Sequence, residues 1–389
     1  MRDLDTSLTP PPMAFPKTAL PGDAPYIIED APGAGRGVFA TRAIKAGEIV
    51  LIANDLLAYT LFREYRGEVC CNCFAYQMGE KLPVRDTIHG LAFCSDVCRL
   101  VHLEQADDLC LMARAAVEKL IKTKVPAAEV SYTGQRPSIE AISVAWKNAE
   151  VQAASIIRAR MAATSGIPAT KSSLKSMQRA LSAPVSPDTI NFQLSVALAT
   201  YRQHHHRRDQ DPAWWLRAML LEAEATPYLS ARELDEYVAS YLHLLAVLPE
   251  ALLPLVTSET MHNIKTRETH NSFGIRSLGD GGSEFFGFGV WPSASYFNHS
   301  CAPNLCRKRE GRAWVFSAKQ DIAPGEQLHI SYLSGEDSSG DDDAGWRERS
   351  ATLRKTWGFD CACGECAMER VEEEQEEEEE EEEEEEVVA

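Results

Sequence analysis

The chemistry legible in this chain sits in its cysteines and in one short polar peptide. Of 11 cysteines, Cys70, Cys71, Cys73, Cys94 and Cys98 crowd one stretch, Cys301 and Cys306 a second, and Cys361, Cys363 and Cys366 a third. Short paired spacings in a chain that reads as intracellular suit a tetrahedral cation better than disulfides. Cys70-x-x-Cys73 and Cys94-x-x-x-Cys98 form one complete set of four thiolates; Cys71 is a spectator or an alternative to Cys70. Cys361-x-Cys363-x-x-Cys366 supplies three ligands, one short of a tetrahedral site. The first set is closed, and neither has a poised carboxylate beside it, which argues against a zinc hydrolase. The triplet His204, His205 and His206 has no partner set at orderly spacing and reads as a solvated loop.

The polar peptide is Asn298-His299-Ser300-Cys301-Ala302-Pro303-Asn304. An amide beside an imidazole suits a purine edge and a cationic sulfonium ligand, or else holds a buried loop together. Gly35-Arg36-Gly37 is a tight turn, or a loop whose backbone can approach a ligand closely. Tyr332 ends the alternating strand QLHISY, ordinarily the place of a half-buried strand residue. No glycine-rich phosphate loop follows a strand, so a Rossmann-type small-molecule methyltransferase is disfavoured.

The NHSCAPN peptide resembles a signature of SET-domain protein lysine methyltransferases, and the chain is most similar to the subgroup that adds a MYND-type zinc finger. Other pieces match in order: Gly35-Arg36-Gly37, Asn271-Ser272-Phe273, Tyr332 and the final cysteine cluster. The resemblance covers about 26–110 and 261–366 and is faint between them. It implies S-adenosylmethionine as cofactor, held by Gly35, Arg36, Gly37, Asn271, Asn298, His299, Tyr332, Trp357 and Phe359, with Tyr332 also catalytic. Cys301 would complete a structural zinc site with Cys361, Cys363 and Cys366; Cys306 fits no ligand position. The finger is reduced. Its middle CxxC is missing and His102 and Cys110 lie too far apart, so the resemblance implies one zinc on Cys70, Cys73, Cys94 and Cys98 and a second site lost. Trp357 stands where the family has Tyr, which removes a hydroxyl and leaves the degree of methylation open.

Those residues need a scaffold. Strand-like bursts at Tyr26–Leu61 and again after about 268 flank a helical stretch, so the two β parts must pack together. The expected fold class is α+β: a SET β-fold with a pseudoknot, an inserted zinc finger, a helical insertion and a cysteine-rich cap. Expected boundaries are a flexible 1–23, first SET part 24–69, finger 70–110, helical insertion 111–260, catalytic core 261–333, acidic linker 334–346, cap 347–367 and a disordered tail 368–389. Loops are expected at about 162–190 and through QHHHRRDQD, while WWLRAMLLEAEATPYL reads as helical. Removing the tail's 14 carboxylates (Glu372–Glu374 and Glu376–Glu386) from a formal charge of −19 leaves −5, so the body is only mildly acidic. Such a tail keeps a chain soluble or meets a basic partner, and it argues against nucleic acid as a direct ligand. The start MRDLDTSLTPPPM has no apolar leader core, and no 18-residue charge-free apolar run marks a membrane span. The reading is therefore a monomeric enzyme of nucleus and cytoplasm that methylates protein lysines, histone tails first and other proteins second. The competing reading is a catalytically silent chromatin scaffold; the joint survival of Gly35, Gly37, Asn298, His299 and Tyr332 counts against it.

Overall fold

The computed structural model describes residues 24–123, 134–166, 168–205, 217–278, 282–333 and 345–371, with 373 and 375. The N-terminal 1–23, most of the acidic linker, His206 and most of the glutamate tail lie outside these residues. Strands come first: β1 (Tyr26–Asp30), β2 (Arg36–Ala40), β3 (Ile49–Ala53) and β4 (Ala58–Leu61). A small hairpin follows, β5 (Val84–Asp86) and β6 (Leu91–Phe93), leading into α1 (Asp96–Gln105) and α2 (Asp108–Thr123). The helical insertion holds α3 (Ile139–Thr164), α4 (Lys171–Ser182), α5 (Pro187–His205), α6 (Ala231–Val247) and α7 (Ser258–Asn271). The chain then returns to β7 (Ser272–Arg276), β8 (Phe285–Val290), β9 (Asn298–His299), β10 (Leu305–Glu310), β11 (Ala313–Ala318) and β12 (Gln327–Ile330), and closes with α8 (Trp346–Trp357).

Early and late strands share sheets, in the orders β1-β2-β12-β9, β10-β11-β3 and β4-β8-β7. The two β parts do pack together, because an alternating strand such as AYTL can bury its apolar face only against a partner. Glycine permits one of these joins. Gly287 on β8 has φ +153°, and a Cβ there would lie 2.0 Å from the Thr60 carbonyl oxygen on β4. Gly47, with φ +80°, makes the turn that leads from β2 into β3.

The insertion folds around Trp146, whose Nε1 donates to Tyr228 Oη at 3.0 Å while its ring meets Tyr237, Tyr241 and His262. Lys265 of α7 is ion-paired to Glu233 at 3.0 Å and Glu268 at 3.1 Å, which ties α6 to α7. Helix α7 runs across the expected 260/261 boundary and delivers Asn271 at its last position. Likewise α2 begins inside the stretch assigned to the finger.

Four expectations need correction. The loop at about 162–190 contains α4, started by the Thr170 side chain, which accepts from Ser173 N, and held by buried Ala180 with Met177 and Leu181 on the core. Its serines disguise that spacing. WWLRAMLLEAEATPYL is not one helix: 220–230 is turn and coil. Carbonyls there serve other partners, since Leu220 O accepts from Arg36, Met219 O from Arg267 and Glu222 O from Asn271 Nδ2. The tail's start is also ordered. Residues 364–371 are helical, Glu369 meets Arg349 at 2.7 Å and Glu373 meets Arg347 at 2.9 Å. His204, expected in a loop, lies on α5.

Candidate functional site

Strand β12 organises the site. It pairs antiparallel with β2 and parallel with β9, at His329↔Asn298 and Ile330↔His299. The 298–304 peptide is laced to it: Ser300 N donates to Ile330 O, His329 N to Asn304 Oδ1, and Asn304 Nδ2 to Gln327 O. Tyr332 N donates to His299 Nδ1 at 3.0 Å, which leaves the ring proton on Nε2, 3.3 Å from Cys301 Sγ. Burial pushes the His299 imidazole down to about 4, so it is neutral at physiological pH. Asn298 Nδ2 donates to Arg36 O at 3.0 Å. The Asn–His pair therefore holds its loop, and it also faces a cavity.

That cavity, of about 770 Å³, is lined by Gly35, Arg36, Asn271, Asn298, His299, Tyr332, Trp357 and Phe359. Of the nine residues expected at a cofactor site, only Gly37 is not in its wall. Gly37 acts from behind: a Cβ there would sit 2.3 Å from Gln327 Nε2 and 3.1 Å from Asn298 Nδ2. Arg36 contributes its backbone side, because its guanidinium binds Leu220 O and packs 5.5 Å from the Tyr296 ring. Helix α8 stops at Gly358, φ +76°, whose N–H reaches Leu353 O and Arg354 O; the reversal sets Trp357 and Phe359 on the cavity.

Sequence reasoning missed Leu221, Glu222, Tyr296, Gln327 and His329 in the same wall. Gln327 and His329 were detectable, since they share a face of QLHISY by the two-residue period. Glu222 was not, because it arrives from the non-helical stretch of the insertion. A cavity of this size suits a nucleoside-sized ligand. Gln327 Nε2 is buried without a protein partner, and the wall adds an amide, a neutral imidazole and aromatic faces. This donor and ring set fits S-adenosylmethionine.

A second cavity, about 550 Å³, meets the first at His270, Asn271, Ser295, Tyr332 and Trp357. Its other walls include Phe273, Arg276, Phe285, Phe288, Phe297 and Arg307. At the junction, Tyr332 Oη donates to Phe297 O at 2.9 Å. Desolvation pushes its phenol up to about 12, so the group stays protonated. Trp357 lies 5.4 Å from the Tyr332 ring.

Both cysteine quartets converge: Cys70, Cys73, Cys94 and Cys98, and Cys301, Cys361, Cys363 and Cys366, each with sulfurs within 4.8 Å of one another. Tetrahedral Zn–S bonds of about 2.3 Å place sulfurs about 3.8 Å apart. Sulfur pairs lie 3.5 and 3.7 Å apart in the finger and 3.4 and 3.9 Å apart in the cap. Both sets therefore fit zinc. Ser95 starts α1 by accepting from Cys98 N, fixing one ligand on the first turn. Arg349 lies 3.8 Å from Cys366 Sγ, a cation beside a thiolate set. Cys71, His102 and Cys110 are buried outside the finger quartet.

The SET domain family model matches residues 35–333. Potential protein lysine methyltransferase SET6 of Saccharomyces cerevisiae is 26% identical over 379 residues, covering 86% of this chain and 93% of that protein. Histone-lysine N-methyltransferase ASHR2 of Arabidopsis thaliana is 21% identical over 356 residues, 88% of this chain and 72% of that one. A SET and MYND domain-containing protein of Dictyostelium discoideum is 35% identical over 109 residues, of which the chain spans only 26% of that protein's length. With the family model matching most of its length, the chain belongs to the SET domain family.

Proposed function

We propose that this protein transfers methyl groups from S-adenosylmethionine to lysine side chains of other proteins. The observation that carries the reading is the meeting of two cavities at Tyr332, one suited to a nucleoside-sized ligand and one walled by aromatic rings. The names of the relatives, protein lysine and histone-lysine methyltransferases, support it.

S-adenosylmethionine, when bound, supplies an electrophilic methyl on a cationic sulfur. Asn298, Gln327, the 32–36 backbone and Glu222 would hold it, and Trp357 and Phe359 would shield it from water. The lysine enters from the second cavity, where Phe273, Phe297 and Trp357 strip water from its methylenes. Its amine must be neutral; the proton leaves to solvent, because Tyr332 is protonated and His299 is occupied on both nitrogens. The nitrogen–methyl bond then forms as the methyl–sulfur bond breaks. Tyr332 orients the amine through a phenol already pinned to Phe297 O, so catalysis is alignment and electrostatics rather than acid–base exchange.

Histone tails are the first substrate pool to try and soluble proteins the second, with action in nucleus and cytoplasm. The test is transfer of labelled methyl from S-adenosylmethionine into core histones and whole-cell extract. Wild type should label lysine, and Tyr332→Phe should lower the rate by about 100-fold, the scale of losing one positioned hydrogen-bonding group. Absence of transfer from a folded, zinc-loaded protein would sink the reading.

A further inference from the structure

The lysine-side cavity contains four charged or chargeable groups, and they differ in how they are satisfied. Glu268 pairs with Lys265 at 3.1 Å and His270 lies 3.5 Å from Glu224. Arg307 is engaged, stacked 5.6 Å over Phe273 and 5.7 Å over Trp314. Arg276 is different. Its Nη1 donates to Gly282 O at 3.0 Å and its guanidinium sits 4.8 Å over the Phe285 ring, but no carboxylate among the described residues pairs with it.

The seat of Arg276 is built. A Cβ on Gly274 would lie 3.4 Å from Arg276 Nε and 3.2 Å from Phe285 Cε2, and a Cβ on Gly282, at φ +79°, 3.5 Å from Arg276 Cδ. Two glycines thus leave the slot that lets the arginine lie flat on Phe285. A guanidinium has five donors in a planar fork, and the Gly282 carbonyl takes one. The remaining edge matches a carboxylate in a bidentate contact.

We propose that Arg276 selects substrates by binding an acidic side chain close to the target lysine. This rests on the lysine-methylating reading above and adds the substrate class to it. A cavity of about 550 Å³ is about 10 Å across if round, which admits about three residues of extended chain. The acidic residue therefore falls within three positions of the lysine. A peptide with a cation at every one of those positions is a poor substrate, because Arg276 and Arg307, both lining this cavity, repel it.

The experiment uses the full-length, zinc-loaded protein and peptides with a single lysine, whose flanking three positions on each side carry Glu, Gln or Lys. Wild type should favour Glu over Gln by about tenfold in kcat/KM, expressed mainly in KM, as a ground-state contact requires. Arg276→Gln should erase the preference and Arg276→Lys should keep part of it. Arg276→Glu should turn the preference toward Lys-flanked peptides, a gain that misfolding cannot produce. Equal use of all flanks by wild type, or an unchanged preference in Arg276→Gln, overturns the proposal while leaving methyl transfer intact. If wild type modifies no peptide and no extract protein, the methyltransferase reading has failed, and this proposal with it.

Discussion

At the scale of single residues, Tyr332 and its neighbours set the pH behaviour. The phenol is held protonated up to about 12 by desolvation, so it gains nothing from alkali in the working range. The substrate amine, with an ordinary value of about 10.4, must lose its proton first. The rate at low substrate should therefore climb about tenfold per pH unit from pH 6 to about pH 9, the sign expected for a neutral nucleophile. Stopped assays across that range check this. A falling limb between pH 7 and 9 in protein that remains folded would show a required acid that the site does not contain. Position was legible here: Tyr332, Asn298 and His299 all line the larger cavity, and the Asn–His pair also holds its own loop.

At the scale of elements, the cap and the β4–β8 pair invite separate tests. Cys361 and Cys366 are buried against Leu353 of α8, and Cys301 ties them to the 298–304 peptide. Cys361→Ser should reduce the zinc content from two ions per chain to one. It should also weaken S-adenosylmethionine binding by at least about tenfold, as disturbing a metal site's supports does, because Trp357 and Phe359 lose their anchor. Zinc release to a chromogenic chelator and a fluorescence titration read both effects. Unchanged affinity after loss of the zinc would detach the cap from the cofactor site. On the other side of the fold, Gly287→Ala should cost about 3 kcal/mol by overpacking, since its new methyl meets backbone rather than a movable side chain. Thermal denaturation measures this, and a variant as stable as wild type would mean that β4 and β8 can part at little cost. The glycine requirement could not be read from FFGFGV, because only the approach of Thr60 from a distant strand creates it.

At the scale of the whole molecule, the insertion and the β-core share a wall. The stretch 217–224 binds Arg36, Arg267 and Asn271 through its carbonyls and brings Glu222 to the cofactor-side cavity. Lys265 couples α6 to α7, the helix that ends at Asn271. Burial disfavours its charge, but Glu268 and Glu233 outweigh this and raise its affinity for the proton. Lys265→Ala would leave the buried Glu268 and the half-buried Glu233 without their cation and should destabilise the fold by about 3 kcal/mol. Urea unfolding is the measurement. If the loss were under 1 kcal/mol, the insertion would not be integrated with the core in the way the contacts indicate.

Local rules indicated tetrahedral cation sites and an alternation of β, helical and β stretches; the methyl-transfer chemistry came from the family resemblance. Cysteine spacing announces a tetrahedral cation wherever the chain folds, and QLHISY reads as a strand, although β12 stops at Ile330 and Tyr332 lies two residues past it. Tertiary structure alone decided three other things. It brought Cys301 to a cluster about 60 residues away in sequence, which spacing cannot rank without the family resemblance. It made 220–224 part of a wall instead of a continued helix, because carbonyls at 219, 220 and 222 found donors on β2 and α7 instead of on their own next turn. It also seated Arg276 between two glycines with no carboxylate partner among the described residues, which depends on what lies near it in space. Periodicity records what each residue prefers locally; pairing across distant strands decides which preferences are satisfied.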